Sequence, residues 1–345
     1  MSTAQQLLCL APGKPAQFAM RPHDVPAPSR GQVLVRVEAS SVNPIDAKRS
    51  TGYGRRLLAL KGAARFPTAL GNDLAGIVQA VGSGDTPFKP GDRVFGLVPT
   101  GPQGAHASHV LAQAQHLRAA PANHTSPELA ALPYTFTTCW LALQSVGLDQ
   151  HSAKGKEVLV HGASGGLGQL ALQVLTRWDA RVTAVCSTTH VQTCKDLGAA
   201  VVVDRTRRAL STLPTCYDVS LNFAVWQDDA ALISRLKPGA MGHATTVHPL
   251  LDSIDVHGWM RGGWRAFRAW SAMRGLAAAK GGRGTRYAWT IFQPHVQALD
   301  ALQQLLDANI GLHLPLGLIV PLAQGEQAFA HVAQQRAGRA ILTTA

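Results

Sequence analysis

Charged residues and long apolar runs are both scarce in this sequence. Charged side chains make up 15% of the 345 residues and the apolar set 46%, a balance that excludes a disordered chain. No stretch reaches the roughly 20 consecutive apolar residues that a membrane span requires. The first residues lack the basic flank and apolar core of a secretion signal. We therefore expect a globular cytoplasmic protein, long enough for two domains with separate cores.

Cysteine is also scarce and shows no pairing pattern. The odd number of five and the lack of a CxxC motif argue against a disulfide framework and a cysteine-rich metal site. We expect reduced, structural thiols at Cys9, Cys139, Cys186, Cys194 and Cys216.

Acidic residues are outnumbered, which gives a formal net charge of +12. That charge suits an anionic cofactor, an acidic partner, nucleic acid or an anionic membrane, and by itself it does not choose among them. Its distribution is uneven, because no acidic residue lies between Asp255 and Asp300. The basic residues of that stretch are Arg261, Arg265, Arg268, Arg274, Lys280, Arg283 and Arg286.

The pattern of apolar residues divides the chain into a β-rich part and an α/β part. The first 120 residues show strand-like alternation and short apolar runs closed by Gly and Pro. From about Pro127, helical spacing appears, and short β runs then alternate with helical segments, which predicts a parallel α/β sheet. A helix is predicted over 295–309, followed by strands in 311–322 and 337–345 that return to the β-rich part.

A glycine-rich loop lies between a predicted strand and a predicted helix in EVLVHGASGGLGQLA, residues 157–171. Gly162, Gly165 and Gly168 form a GxxGxxG pattern, which lets a pyrophosphate approach the backbone and the helix N-terminus. Ser164 adds a hydroxyl donor. The alternative is that the glycines only make a tight turn.

The next predicted strand indicates which dinucleotide is bound. NAD-specific sites place a carboxylate on the adenosine ribose at the end of this strand, but here it ends at Ser187 without one. His190 and Arg205 follow, and they favour NADPH because basic groups neutralise a 2′-phosphate. We interpret the neighbouring Arg207 and Arg208 as part of a solvated turn.

Several segments together resemble the zinc-free quinone oxidoreductases of the medium-chain dehydrogenase/reductase family, nearest the reticulon-4-interacting protein 1 branch. They are SVNPIDAKRSTGYG, FPTALGNDLAGIVQAVGSG, FKPGDRVFG, ALPYTFTTCWLAL and HGASGGLG, with WDARVTAVCS and RYAWTIF as the most branch-specific matches. Members of that branch are NADPH-dependent, quinone-reductase-like and linked to coenzyme Q metabolism. The resemblance implies an α/β fold with a GroES-like β domain, residues 1–124 and 293–345, and a Rossmann domain, residues 125–292.

The resemblance also implies positions for cofactor contacts. Asn43 and Thr138 would lie in the nicotinamide and phosphate region, and Ser187 near the 2′-phosphate. Two departures alter the pattern: Arg205 stands where the family usually has Tyr, and Asn222 replaces the usual Asp after the fourth strand. The full set of candidate cofactor contacts is Asn43, Thr138, Ser164, Gly165, Gly166, Leu167, Ser187, His190, Arg205, Asn222, Thr246, Val247, Thr290 and Phe292.

The ligand positions of zinc-dependent relatives do not hold zinc ligands here. Asn43 occupies the first position and Gly71-Asn72-Asp73 the second, and the four-cysteine lobe is missing. Cys139 alone cannot form a tetrahedral site, which needs three protein ligands. We therefore expect no metal and interpret Cys139 as a small buried apolar residue.

Without a metal, the substrate should accept hydride readily, as a quinone or an activated enone does. Candidate proton donors or orienting groups come from one loop, namely Asn43, Asp46, Lys48 and Tyr53. We take Asn43 and Tyr53 as catalytic candidates, and expect Asp46 to hold the loop by accepting backbone N–H groups. The alternatives are an enoyl-thioester reductase, or a nucleotide-sensing or RNA-binding protein that has lost turnover. We expect a homodimer and no nucleic-acid partner.

Residues 259–274, WMRGGWRAFRAWSAMR, combine aromatic and basic side chains at helical spacing. One hypothesis is a helix that buries its aromatics and exposes its arginines to water. The other is a weak contact with an anionic membrane surface, from which a lipid-soluble quinone could enter.

Overall fold

The strands and helices below are those of a computed structural model, which describes residues 4–308 and 311–344. The strands are β1 Gln5–Ala11, β2 Gln17–Pro22, β3 Gln32–Val42, β4 Thr68–Ala69, β5 Asp73–Val81, β6 Arg93–Leu97, β7 His109–Gln113, β8 Leu117–Ala119, β9 Glu157–His161, β10 Arg181–Cys186, β11 Val201–Asp204, β12 Val219–Asn222, β13 Gly242–Thr245, β14 Arg286–Trp289, β15 Leu316–Pro321 and β16 Arg339–Thr343. The helices are α1 Pro44–Arg49, α2 Arg55–Ala59, α3 Ser126–Ala130, α4 Pro133–Ser145, α5 Gly166–Arg177, α6 Val191–Asp196, α7 Asp229–Ile233, α8 Leu250–Gly281, α9 Val296–Asp307 and α10 Gly325–Ala333.

The chain forms two compact units, residues 1–137 with 293–345 and residues 138–292. The first boundary falls after 137, and not after 124 as the sequence suggested. The reason is helix α3, which packs against β3 and β5 of the first unit. Its Leu129 and Ala130 are fully buried there. The helical spacing from about Pro127 thus indicated a helix, but that helix belongs to the first unit.

The first unit is built on a sheet in which β15, β16, β3, β5, β6 and β8 are successive neighbours and β7 also pairs with β3. Strand β3 alternates as predicted, with Val33, Val35 and Val37 turned into the core. β16 pairs antiparallel with β3, so the end of the chain rejoins the β-rich unit. Helix α10, which the apolar pattern did not predict, packs on α1 and β16.

The second unit contains a sheet whose strands lie in the order β11-β10-β9-β12-β13-β14, all parallel. Counted from β9, this is the doubly wound order 3-2-1-4-5-6 of dinucleotide-binding sheets. The inner strands β9, β10, β12 and β13 are buried along almost their whole length, as the centre of a parallel sheet requires, whereas the edge strands β11 and β14 are partly exposed. The chain reverses its direction of winding between β9 and β12, where such sheets bind their ligands.

Helix α8 is broken at Gly258, where φ is 76° and ψ is 177°. This left-handed φ favours glycine and ends one helical segment before the next begins. The second segment runs through the helix predicted over 259–274. Within the described residues, no helix combines the length and the apolarity that a membrane span needs.

Candidate functional site

The glycine-rich loop joins β9 to α5 at the carboxyl edge of the parallel sheet. Gly162 adopts φ 79°, and a Cβ there would lie 3.0 Å from the carbonyl carbon of Phe223. At Gly168, a Cβ would collide with Gly162 O and Ala163 Cα, so only glycine lets the helix pack on the loop. These two glycines are required by the fold.

Gly165 differs from its neighbours in the loop. It is exposed, has φ −76°, and a Cβ there would meet only Gly162 O, at 3.5 Å. It is also the N-cap of α5, and no side chain caps the helix at this position. The space beside Gly165 is therefore open, and the first N–H groups of α5 are available to an acceptor other than a capping side chain.

The other candidate contacts of the second unit follow its strands at the same edge. Ser187 follows β10, Thr246 and Val247 follow β13, and Thr290 follows β14. Backbone hydrogen bonds align these turns: Thr246 N donates to Asn222 O at 3.1 Å, and Thr290 N donates to Thr245 O at 2.9 Å. The Thr290 hydroxyl is buried without a hydrogen-bond partner within the described protein. The sheet thus brings together positions that are distant in sequence.

Asn222 is placed at this edge, but its side chain serves the turn. It is fully buried, its Nδ2 donates to Val225 O and to Asp229 Oδ1 at 2.7 Å each, and its Oδ1 accepts from Ala224 N at 3.1 Å. All its hydrogen-bonding groups are thereby engaged, which gives the side chain a structural role. The following turn, which departs from the family pattern, is held by this amide.

Asp229 is the centre of a buried polar network that the sequence did not indicate. Tyr287 donates to its Oδ2 at 3.0 Å, and His243 Nε2 lies 3.1 Å from its Oδ1 without hydrogen-bond alignment. His243 Nδ1 in turn lies 2.7 Å from Ser220 Oγ. Although burial raises the pKa of Asp229, the neighbouring His243 and the hydrogen bonds from Asn222 and Tyr287 lower it overall. Ser220, His243 and Asp229 are all buried, so this Ser-His-Asp set lies inside the second unit and not on its surface.

Basic and acidic groups meet where β10 and β11 end. Arg205 N donates to Cys186 O at 2.9 Å, which places Arg205 directly beside Ser187. Asp204, a carboxylate missed in the sequence, lies at this edge too, where its oxygens accept from the hydroxyls of Thr188 and Thr206 at 2.7 Å each. Those hydrogen bonds hold the pKa of Asp204 below its usual range.

Two further residues at this edge have defined environments. His190 closes the short turn after Ser187, since its N–H donates to Ser187 O at 3.0 Å. His161, at the end of β9, lies 2.8 Å from Asp228 Oδ2. Burial lowers the pKa of His161; Asp228 opposes the shift, while the positive charge of Arg205 adds to it. The charge of Arg205 therefore acts along the carboxyl edge of the sheet.

In the first unit, Asn43 is the centre of a second buried network. Its Nδ2 donates to Asp73 Oδ2 at 2.7 Å and to Ser41 Oγ at 3.2 Å, and its Oδ1 accepts from Arg339 Nη2 at 2.5 Å. Ser41 also donates to Asp73, and Tyr134 N donates to Asp73 Oδ1 at 2.6 Å. Both ends of the Asn43 amide are thus fixed by neighbours.

Asp73 carries an unusual proton affinity in this network. It is fully buried, and burial raises its pKa to about 6 against the opposing effects of Arg339, Ser41, Asn43 and the Tyr134 N–H. Burial also lowers the pKa of Arg339. The nearest approach of the two charged groups, Arg339 Nη2 to Asp73 Oδ2, is 4.0 Å. This carboxyl was noted in the sequence only as part of the motif that replaces a zinc ligand.

The loop with the remaining candidates is held by Asp46, as expected. Its Oδ2 accepts from Asn43 N at 2.9 Å and its Oδ1 from Gly71 N at 3.0 Å. Tyr53 lies half-buried in the turn between α1 and α2, with Lys48 Nζ 5.2 Å from its ring centroid. Its catalytic role stays a prediction.

The residues compared with zinc ligands are committed to other contacts. Asn72 Nδ2 donates to Val98 O at 2.9 Å and to Thr100 Oγ1 at 3.1 Å. Cys139 is buried, which raises the pKa of its thiol to about 12. Throughout residues 4–308 and 311–344, no three His, Cys, Asp or Glu side chains are grouped so that they could hold a metal ion. Thr138 is buried near Cys139, and Phe292 is half-buried at the end of the second unit.

Known proteins resemble this chain in both sequence and structure. Residues 29–122 match the alcohol dehydrogenase GroES-like domain. The Homo sapiens mitochondrial NAD(P)H oxidoreductase RTN4IP1 is 33% identical over 292 residues, which cover 81% of this chain and 73% of that protein. The chain belongs to the zinc-free medium-chain dehydrogenase/reductase family, among the quinone oxidoreductases. The first unit is thus its GroES-like domain and the second its Rossmann domain.

Further relatives agree with this family. The chloroplastic quinone-oxidoreductase homolog of Spinacia oleracea is 37% identical over 183 residues, covering 52% of this chain and 54% of that protein. The quinone oxidoreductase structure from Coxiella burnetii aligns over 100% of both chains with a TM-score of 0.79 at 21% identity. An alcohol dehydrogenase superfamily protein from Novosphingobium aromaticivorans also reaches a TM-score of 0.79, at 25% identity, over 99% of this chain and 100% of that one. At such identities the structural likeness concerns the fold.

Proposed function

We propose that the protein is an NADPH-dependent, zinc-independent oxidoreductase that reduces a quinone or an activated enone. The observation that carries the proposal is the open glycine loop at the point where the parallel sheet changes its winding direction. When bound, NADPH supplies a hydride from its nicotinamide ring. The chain's own residues would bind and orient the two reactants.

The loop between β9 and α5 fits a pyrophosphate. The space beside Gly165 is one that a Cβ would occupy, and the uncapped α5 N-terminus offers N–H groups and the positive end of a helix dipole. Ser164, Gly166 and Leu167 would complete the cradle. The unpartnered Thr290 hydroxyl at the same edge supports a ligand there, because a buried polar group without a partner is costly.

Preference for NADPH over NADH is supported by the charges at the ends of β10 and β11. β10 ends at Cys186 and is followed by Ser187 and not by a carboxylate, and Arg205 is held beside Ser187 by the hydrogen bond to Cys186 O. The nearby Asp204 would repel a 2′-phosphate, but its oxygens accept from two threonine hydroxyls, and Arg207 Nε lies 3.5 Å from Oδ2. Arg205 is therefore the group that we expect to bind the 2′-phosphate.

A quinone or an activated enone is supported by the relatives' names and by the polar groups of the first unit. The positions of zinc ligands hold Asn43 and Asn72, whose amides are engaged in protein hydrogen bonds. The described residues thus contain no group of side chains that could hold a metal ion to polarise an unactivated carbonyl. Such substrates accept a hydride without that help.

The cofactor preference can be measured by titrating the purified protein with each dinucleotide. We expect NADPH to bind at least about tenfold more tightly than NADH, since a charge-assisted contact to phosphate contributes about 1.5–3 kcal/mol. Arg205→Ala should remove most of this preference. Arg208→Ala is the matched control, because Arg208 is exposed and its guanidinium donates to Thr212. Equal affinities for the two cofactors, or an equal effect of both variants, would contradict the assignment.

The acceptor can be identified by following NADPH oxidation with a panel of quinones, enones and enoyl-CoA thioesters. Turnover of quinones or simple enones supports the proposal. Preferential turnover of enoyl-CoA would identify an enoyl-thioester reductase instead. Tight NADPH binding without turnover of any acceptor would favour a nucleotide-sensing protein.

We also propose that the protein is a homodimer. Among the described strands, β14 pairs on one side only, with β13, and so ends the parallel sheet of the Rossmann domain. An open strand edge can pair with the same edge of a second copy. Analytical ultracentrifugation should give twice the 36.5 kDa of one chain, and a monomer at all concentrations would contradict it.

A further inference from the structure

The second segment of α8 leaves a large part of its apolar surface uncovered. Its most buried residues are small, namely Gly262, Ala266 and Ala277, and Trp270, Met273 and Leu276 pack half-buried against the core on the same side. Its largest apolar side chains face outward, with exposed fractions of 89% for Met260 and 60% for Trp264. The hypothesis that this helix buries its aromatics is therefore wrong for Trp264 and Phe267, and it holds in part for Trp270, which packs half-buried against the core.

Local packing explains why Met260 and Trp264 face outward. Gly262 lies so close to the preceding segment that a Cβ would meet Ser253 O and lie 2.7 Å from Ile254 Cα. The break at Gly258 turns the chain so that this face rests on the protein. Because the helix backbone approaches the preceding segment so closely at Gly262, no room is left at that point for an aromatic ring.

The outward surface of this segment has two adjacent rows. At about 100° per residue, Met260, Trp264 and Phe267 lie together on one exposed arc. Arg261, Arg265 and Arg268, all exposed, lie on the next arc. We call the two rows together the α8 surface. Its apolar row is 55% exposed even at Phe267, and exposed apolar patches rimmed by polar groups mark interaction surfaces.

The charge of this surface is of one sign. No acidic residue occurs between Asp255 and Asp300, so the arginines of the α8 surface have no carboxylate near them in sequence. An exposed apolar row beside an exposed cationic row is the pattern of helices that lie in the interface of an anionic bilayer. There the apolar side chains enter the headgroup region while the arginines contact lipid phosphates.

We propose that the α8 surface binds the protein reversibly to an anionic phospholipid membrane, through Met260, Trp264 and Phe267 with Arg261, Arg265 and Arg268. This inference does not depend on the proposed oxidoreductase activity. Charge complementarity selects this partner, since arginine side chains near the surface of an anionic leaflet are attracted to its phosphates.

The same observations disfavour two other partners. In a twofold contact between copies, the same surface meets itself, which would bring the arginines of one copy against those of the other. Single-stranded nucleic acid would need free ring faces for base stacking. Here Trp264 and Phe267 are stacked on each other, with ring centroids 5.9 Å apart and an interplanar angle of 27°. Met260, the most exposed member, has no ring.

Vesicle co-sedimentation of the full chain tests the proposal. Phosphatidylcholine vesicles with about 30% phosphatidylserine should bind the protein at least about tenfold more strongly than pure phosphatidylcholine. Raising the salt from about 0.1 M to about 0.5 M should reverse the binding, because the Debye length is about 10 Å at 0.1 M and shrinks with salt. Lack of binding to anionic vesicles at low salt would overturn the proposal.

Two variants that remove the same amount of charge from different places distinguish the effect of the arginines' position from that of the protein's net charge. The triple variant R261Q/R265Q/R268Q lowers the formal net charge from +12 to +9 and should lose at least about tenfold in vesicle affinity. The control R21Q/K89Q/R336Q removes the same charge from exposed positions of the first unit and should bind vesicles like the wild type. Equal losses in both variants would show that only net charge matters, which contradicts the proposal.

The apolar row requires its own variant, M260S/W264S/F267S, whose replaced side chains are exposed and whose fold is checked by circular dichroism. It too should lose at least about tenfold in vesicle affinity. Sedimentation velocity on the same variant tests whether the α8 surface instead binds a second copy of the chain. If wild-type protein ignores vesicles and this variant converts a dimer into a monomer, the surface binds a second copy and the membrane assignment is wrong.

Discussion

Arg339 donates a 2.5 Å hydrogen bond to the side-chain oxygen of Asn43, 296 residues earlier in the chain. This bond fixes which way the Asn43 amide faces, since a guanidinium only donates. The amide nitrogen must then face Asp73, which it does at 2.7 Å. A residue near the end of the chain therefore sets the orientation of the catalytic candidate.

Replacing Arg339 should destabilise the protein strongly. Arg339→Met leaves the buried Asp73 without its cationic neighbour, and breaking a buried pair costs about 3–5 kcal/mol. Denaturant unfolding measures this loss, with Arg336→Met as the control because Arg336 is exposed. The loss should be smaller in an Asp73→Asn background. If it is the same in both backgrounds, the two residues are not coupled.

Stability should depend on pH through Asp73. Because its pKa is raised to about 6, against about 4 in an unfolded chain, the native state keeps this proton to a higher pH than the unfolded state. This group therefore makes the free energy of unfolding fall as the pH rises from about 4 to about 6. In the Asp73→Asn variant the free energy of unfolding should no longer fall over this pH range. The fall in the wild type is up to about 3 kcal/mol, since each of the two pKa units contributes about 1.4 kcal/mol. Parallel profiles for wild type and variant would exclude this effect.

Two glycines of the β9–α5 loop should respond differently to the same substitution. In Gly168→Ala the added Cβ would collide with Gly162 O and Ala163 Cα, so we expect the free energy of unfolding to fall by about 1–3 kcal/mol. Gly165→Ala meets only Gly162 O at 3.5 Å and should leave stability unchanged while weakening NADPH binding about tenfold or more. Thermal unfolding and cofactor titration of both variants check this. Unaltered NADPH binding by the Gly165→Ala variant would argue against a pyrophosphate beside it.

Activity should be independent of zinc. The amides of Asn43 and Asn72 occupy the compared ligand positions and are committed to protein hydrogen bonds. Elemental analysis of purified protein should give far less than one zinc per chain, and chelators should leave turnover unchanged. One bound zinc per chain, lost together with activity on chelation, would refute this mechanism.

The second unit was the more predictable from sequence. Its strands and helices alternate along the chain, and the glycine loop follows the first of these strands, so local patterns indicated the sheet and one end of the site. The resemblance supplied Ser187, Thr246 and Thr290, which the sheet brings to one edge. Asn222 was a candidate cofactor contact, but its hydrogen bond to Asp229, seven residues later, could not be predicted from the local sequence.

The first unit was less predictable because its network is assembled from distant segments. Ser41, Asp73 and Arg339 lie on β3, β5 and β16, and no spacing rule links residues that only sheet pairing brings together. The direction of the large side chains in α8 was missed for another reason. Hydrophobicity predicts burial only where the neighbouring surface has room, and Gly262 shows that here the backbone fills it.

The pairing of β16 with β3 has a consequence for the order in which the nascent protein folds. β16 lies between β15 and β3 inside the sheet of the first unit, so that sheet is incomplete until residues 339–343 have been translated. Residues 138–292 form a continuous unit and are all synthesised before that moment. The Rossmann domain can therefore fold on the ribosome while the sheet of the GroES-like domain still lacks strand β16.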